Sequence, residues 1–315
     1  MRTVFFGSGT FAVPSLEVVA SHRSLQLVAV VTAPDRPAGR GHRPSVVPVA
    51  AGARALGLTV LQPDRLRATD AVRAIRELEP ELGILADYGQ LVPGELVVLP
   101  RLGMLNLHPS LLPRHRGASP IAGCILAGDT ETGVTLMRMD AGLDTGPVVA
   151  VRRWLLQGDE TAPALEARAA LVAADLLAAS LDDWIAGALV PQVQDETLAT
   201  LTRPLRREDG RLDATRPAWL LERQVRAYQP WPGSWVETVD GRVTVLAASA
   251  VEGDSAAEGT LVALGRTFGL ATPNGVLAFI EVQPAGGRRM PADAFLRGHG
   301  RLVGTTVETG PGSRV

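Results

Sequence analysis

Short apolar runs recur through the first half of the chain, at Thr3 to Phe6, Leu25 to Val31, Leu58 to Leu61, Leu82 to Ala86 and Met104 to His108. Segments of roughly 10 to 20 residues with helical spacing of their apolar side chains separate them. Strand-length runs alternating with amphipathic helices predict βαβ units, and hence an α/β fold with a Rossmann-like, doubly wound parallel sheet. Glu160 to Ile185, rich in Ala and Leu, predicts a long closing helix. The pattern then breaks into Pro, Gln and Thr around Ala188 to Pro204. Beyond the break come a helical segment near Pro217 to Ala227 and short runs at Arg242 to Ala247, Gly259 to Leu264, Gly269 to Thr272 and Val276 to Val282. Short strands with Gly-rich turns predict a small β-barrel. The expected organisation is a first domain over 1–187, a linker over 188–205 and a smaller second domain over 206–315.

A chain of 315 residues, 46% hydrophobic and 20% charged, has room for two cores and the composition of a soluble globular protein. The first residues run straight into an apolar strand without a basic leader, and no apolar stretch is long enough to span a bilayer. The expectation is a cytoplasmic protein that does not engage membranes. A single cysteine, Cys124, excludes an intramolecular disulfide framework and, with five scattered histidines, argues against a Cys/His metal site. All 31 basic residues are arginine, and the net charge of −2 gives no general attraction to polyanions. Any RNA contact would rest on local clusters such as Arg203, Arg206 and Arg207, or Arg288 and Arg289.

The apolar run Gly103 to His108 ends in chemistry. Asn106 and His108 are two apart, so in a strand they point to one face, an amide beside an imidazole. An amide NH2 can donate to a developing oxyanion, an imidazole can move a proton, and a carboxylate such as Asp144 in the later loop Gly142 to Pro147 can orient it. A rival signal is Gly7-Ser-Gly-Thr-Phe-Ala12, which matches a dinucleotide-binding turn of the form G-x-G-x-x-A. The acidic residue that should close the second strand of such a site is missing there, since Asp35 lies in a Pro-rich loop. The Asp-Thr-Gly at Asp144 is a lone triplet, without the second carboxylate and all-β setting of an aspartic protease.

Three stretches, Asn106 to Pro120, Gly128 to Thr135 and Gly142 to Gly146, resemble the signature of the folate-dependent formyltransferases. The resemblance continues in Pro34 to Gly41, Gln194 to Thr197, Pro230 to Trp235 and Gln283 to Gly286, and so spans the chain. Within that family it is strongest to the branch whose acceptor is methionyl initiator tRNA.

The resemblance implies an enzyme that transfers the formyl group of 10-formyltetrahydrofolate, a co-substrate, to the α-amino group of methionyl initiator tRNA in translation initiation. It implies Asn106, His108 and Asp144 as the catalytic residues, acting by direct attack of the amine without a metal. Tyr88, Gly89, Ser110, Leu111, Leu112 and Pro113 would border the folate. Arg36, Arg40 and Arg43 in the basic loop, with Arg206 and Arg207 beyond the linker, would meet the tRNA. The second domain takes the name OB-like from the family, and the enzyme is expected to act as a monomer.

The sequence also departs from the family's pattern. Pro109 follows His108 where Gly or Ala is common, and Asp87 precedes Tyr88-Gly89 where Ala is usual. His42 and Arg43 stand for Lys in the basic loop, and Pro204 and Gly287 replace basic residues further on. Four alternatives remain open on sequence grounds: a formyltransferase acting on an amino sugar nucleotide, a hydrolase releasing formate from the same folate, an NAD-binding oxidoreductase built on Gly7 to Ala12, and a non-catalytic RNA-binding protein. Trp231 and Trp235 are expected to pack the start of the second domain.

Overall fold

The computed structural model of the protein describes residues 1–38, 43–253 and 256–307. Contacts divide the chain into two compact units: 1–120 with 131–155 and 165–201, and 121–130 with 156–164 and 202–315.

The first unit is built on a seven-stranded sheet. Its strands are β1 (Arg2–Gly7), β2 (Gln26–Val31), β3 (Val60–Leu61), β4 (Leu82–Ala86), β5 (Met104–His108), β6 (Glu131–Arg138) and β7 (Val148–Leu155). They lie in the order β7-β6-β5-β4-β1-β2-β3. The strands from β5 to β3 are parallel, as the sequence pattern predicts. The last two run antiparallel to their neighbours, a difference from the expected all-parallel sheet. The turn over 139–147 accounts for the β6–β7 pair, because a hairpin can return in a few residues whereas a parallel crossover needs a dozen or more.

Both faces of the sheet are covered. One core gathers Phe5, Val30, Leu82, Ile84, Leu105 and Leu107 with Leu16 and Val19 of α1 (Val13–Ser21), Val49 and Ala53 of α2 (Pro48–Ala55), and the Ala- and Leu-rich face of a long helix that covers Ala162–Ile185. The opposite core gathers Val4, Phe6, Val31, Leu85 and Met104 with Val72 and Ile75 of α3 (Thr69–Glu77) and Leu96 and Val97 of α4 (Gly94–Val97). The alternation of Leu105 and Leu107 with Met104 sends successive side chains of β5 to opposite faces. Asn106 and His108, in step with Met104, therefore point to the α3 and α4 side.

The second unit holds an antiparallel sheet of β8 (Ser234–Thr238), β9 (Gly241–Val251), β10 (Leu261–Leu264), β11 (Thr267–Thr272) and β12 (Gly275–Pro284), hydrogen-bonded in the order β8-β9-β12-β11-β10. Its core joins Val236, Val243, Val245, Phe268, Phe279 and Val282 to Leu221 and Val225 of the helix Ala218–Ala227 and Phe295 of the helix Ala292–Gly298. Trp235 packs in β8 under the Arg242 guanidinium, which sits 3.6 Å from its ring centroid. Trp231, expected beside it in the interior, is 56% exposed instead. It lies in the turn before β8, outside the alternation that turns a strand residue inward.

Candidate active site

The three candidate residues gather where β5 ends. Every residue of β5 is buried, so a polar pair there sits on a floor that solvent does not reach. Asn106 Nδ2 donates to Asp144 Oδ1 at 3.3 Å, and His108 Nδ1 lies 3.6 Å from Asp144 Oδ2. His108 Nε2 is 2.9 Å from the carbonyl oxygen of His115. A carbonyl only accepts, so Nε2 carries the proton of the neutral imidazole and Nδ1 keeps the lone pair. The three residues read from the sequence thus converge, across 38 positions between Asn106 and Asp144.

Asp144 is delivered by a loop that folds around its own polar groups. Asp140 Oδ1 accepts from the Gly142 N–H at 2.9 Å and the Thr145 hydroxyl at 2.7 Å, an Asx-type closure. Asp144 itself has φ of 54°, a left-handed conformation that aspartate tolerates better than most residues. The Gly117 N–H donates to Asp144 Oδ2 at 2.8 Å and fixes the carboxylate.

Burial pushes the His108 imidazole below its ordinary value; Asp144 and the His115 carbonyl oppose this, while the charge of a protonated His115 would add to it. Desolvation wins because the ring is fully enclosed. The resting imidazole is neutral, with a carboxylate waiting beside the nitrogen that can take a proton.

The residues expected to border the folate divide. The Ser110 hydroxyl is spent on the Arg114 carbonyl at 2.7 Å, and Leu112 N–H donates to the Thr135 hydroxyl at 3.1 Å. Leu111 lies over Gly133 of β6, where a β-carbon would displace it. Gly89 faces open space. The Tyr88 ring packs edge-on against Phe6, with its centroid 5.8 Å away, and burial pushes its hydroxyl up to about 12. That hydroxyl is buried without a hydrogen-bond partner among the described residues.

Of the arginines expected to meet RNA, Arg36 and Arg43 sit on paired strands, Arg36–Ala38 and Arg43–Ser45, and Arg40 lies outside the described residues. Arg206 and Arg207 are exposed. Arg203 is instead bound to the buried Asp209 by two hydrogen bonds of 2.7 and 2.8 Å, and Arg289 is tied to Glu281.

The glycine-rich first turn holds an acid. The Asp87 backbone carbonyl accepts from the Ser8 N–H at 2.9 Å, and a β-carbon at Gly9 would fall on the Asp87 carboxylate. Burial and the neighbouring Glu166 raise the Asp87 pKa, and the Gly9 N–H partly offsets them. A dinucleotide pyrophosphate needs free N–H donors at that turn, and here a carboxylate stands over them.

Sequence reasoning missed a second layer behind the trio. Gln194 Nε2 donates to the backbone carbonyls of Asp144 at 2.8 Å and Gly146 at 2.6 Å. Its Oε1 accepts from Arg116 Nε and Nη2 at 3.1 and 2.8 Å, and Arg116 in turn grips Glu196 at 2.7 and 2.8 Å. Only the motif Gln194 to Thr197 hinted at it, and as a resemblance rather than as a contact.

A doubly wound α/β sheet that presents an amide and an imidazole at one strand end, with a loop carboxylate beside them, has the groups that acyl transfer uses. Residues 1–181 match the family model described as "Formyl transferase", and residues 204–300 match "Formyl transferase, C-terminal domain". The chain belongs to the formyl transferase family of enzymes. It is 44% identical over 301 residues to the methionyl-tRNA formyltransferase of Roseiflexus sp. (strain RS-1), covering 95% of this chain and 92% of that one. It is 43% identical over 308 residues to the methionyl-tRNA formyltransferase of Thermus thermophilus, covering 98% and 99%. The resemblance read from the motifs is thus borne out along almost the whole length. Among solved structures, the fold is shared with an N-formyltransferase from Helicobacter canadensis in complex with folinic acid and dTDP-3-aminofucose (TM-score 0.67, 15% identity, 92% of this chain and 100% of that one). It is also shared with HypX from Aquifex aeolicus in complex with tetrahydrofolic acid (TM-score 0.60, 18% identity, 94% and 47%). No described helix is long and apolar enough to cross a membrane.

Proposed function

We propose that this enzyme transfers the formyl group of 10-formyltetrahydrofolate to the α-amino group of methionyl initiator tRNA, with the reaction centred on Asn106, His108 and Asp144. The convergence of these three side chains at the buried end of β5 carries the reading. The names of the relatives that match this chain end to end support the acceptor, and the folate-bound neighbours support the donor.

An α-amino group titrates at roughly 7.7 to 8.0, so a neutral nucleophile is available near neutral pH. Its nitrogen attacks the formyl carbon, and the formyl oxygen takes up negative charge. Asn106 already gives one amide hydrogen to Asp144 and has a second to offer that oxygen. The amine proton passes to His108 Nδ1, directly or through a water, and the imidazolium is held between Asp144 and the His115 carbonyl. Collapse of the intermediate breaks the bond from carbon to the folate nitrogen, which takes the proton and leaves as tetrahydrofolate. Holding amine and formyl carbon together supplies much of the acceleration.

In this reading residues 1–187 catalyse, 188–205 link, and 206–315 form an OB-like domain that binds tRNA, aided by Arg36, Arg40, Arg43, Arg206 and Arg207. Tyr88, Gly89 and Ser110 to Pro113 border the folate, Ser110 through backbone because its hydroxyl is committed. The enzyme works as a cytoplasmic monomer. The test is formyl transfer from 10-formyltetrahydrofolate to methionyl initiator tRNA, run beside elongator methionyl-tRNA, free methionine, an amino sugar nucleotide and no acceptor. Transfer to the initiator alone is expected. Transfer to the sugar, or release of formate without acceptor, would move the function to a different acceptor on the same centre.

A further inference from the structure

We infer that Gln194 is a positioning residue for Asp144, so that the segment after the long helix completes the reacting centre instead of serving only as a tether. The inference rests on the catalytic reading of Asn106, His108 and Asp144. Gln194 is 6% exposed although it lies in a stretch whose neighbours Val190 and Val193 are 80% and 90% exposed. An isolated buried amide in an otherwise exposed segment has been drawn inward by its hydrogen bonds.

Those bonds satisfy a glutamine and no other side chain. The two N–H donors go to the carbonyls of Asp144 and Gly146, which bracket the turn, and the oxygen takes two donors from the Arg116 guanidinium. Glutamate would set a carboxylate against two carbonyl oxygens, and asparagine is one methylene short of spanning the gap. Arg116 is itself 3% exposed and is anchored outward by Glu196. The same strip of chain touches two members of the trio and the glutamine behind them: the His115 carbonyl meets His108, Arg116 meets Gln194, and the Gly117 N–H meets Asp144. The backbone is tied as well, with His115 N–H donating to the Thr200 hydroxyl at 2.8 Å and Arg116 N–H to the Thr200 carbonyl at 2.9 Å. Gln194 therefore holds the Asp144 backbone while Gly117 holds its carboxylate, and together they set the 3.6 Å separation from His108.

The groups that act electrostatically on His108 are Asp144 and His115, and those on Arg116 are Glu196, Asp140 and Asp144. Loosening Asp144 withdraws the one charge that favours the imidazolium. The acid limb of kcat should then move to lower pH, which a purely structural role would not cause.

The experiment measures kcat, KM for the folate, the pH profile of kcat and the Tm of the full-length enzyme and of Gln194→Met, which keeps length and removes the amide. Transfer by the unaltered enzyme is the control: its failure would sink the catalytic reading, independently of Gln194. The expected result is a fall in kcat on the order of 100-fold from a misplaced carboxylate, with KM nearly unchanged and the acid limb shifted down. Glu196→Gln, at an exposed site, is expected to shift the limb the same way by less, with Tm retained, and it decides the matter should Gln194→Met fail to fold. Folded variants whose acid limb stays in place, or whose kcat falls only in step with Tm, would overturn the inference.

Discussion

One amide hydrogen carries the heaviest demand at the residue scale. In the proposed mechanism Asn106 steadies the formyl oxygen while bound to Asp144, and no other side-chain amide among the described residues comes from the same strand end. Asn106→Ala is expected to lower turnover on the order of 100- to 1000-fold, with folate binding far less affected, in single-turnover transfer assays. Full retention of turnover would remove Asn106 from the oxyanion role. His108 gives a second expectation, on stability. Its folded pKa lies below the ordinary 6.5, so the unfolded chain binds the extra proton first as pH falls. Stability is therefore complete above about 6.5 and declines below it, toward the lower folded pKa. A Tm series from pH 8 to pH 5 should show this decline, and His108→Gln should flatten part of it; parallel curves would mean that the ring is not buried neutral. Asn106 and His108 were legible in the sequence because a strand's two-residue period puts them side by side. Asp144 was legible only through its motif. Gln194 and Arg116 were not, since a glutamine in a polar stretch carries no sign of a partner 78 residues away.

At the scale of elements, the Asp144 turn is the part most sensitive to small changes. Gly146 lies flat against the backbone of Arg138, and a β-carbon there would fall on the Arg138 carbonyl oxygen. Gly146→Ala must push the turn away from β6, at a cost of about 1 to 3 kcal/mol for overpacking. A lowered Tm accompanied by a disproportionate loss of transfer is the expected outcome, and a variant that melts and turns over like the parent would show the turn to be looser than its hydrogen bonds imply. The parallel strands and the long helix could be read in advance because their periods are regular. The β6–β7 hairpin could not. Gly133 interrupts one strand to admit Leu111, and the run Val148 to Leu155 has adjacent arginines in place of alternation. Tertiary neighbours, not local pattern, decide both.

For the whole molecule, the two units have separate cores, and the parent sheet of the first ends in an edge strand on each side. At one end β3 is only two residues long and offers little to pair with. At the other, β7 runs for eight residues with, among the described residues, a single outer bridge from Val148 to Gln192, and Val151 and Leu155 are turned to solvent. A long exposed edge of this kind is a template on which a second chain can add a strand. Arg152 and Arg153 sit in the middle of it, both exposed, and Arg153 meets Glu131 in a surface pair at 3.6 Å worth ~0 to 1 kcal/mol. Their contribution to the fold is therefore small. Arg152→Val with Arg153→Val should leave Tm within a few degrees while light scattering rises steeply with concentration and temperature; a double variant that stays monodisperse would refute the idea. On that expectation, the antiparallel turn that completes the sheet leaves an open border, and two arginines with little part in the fold would be what limits how concentrated the enzyme can become before strands add edge to edge.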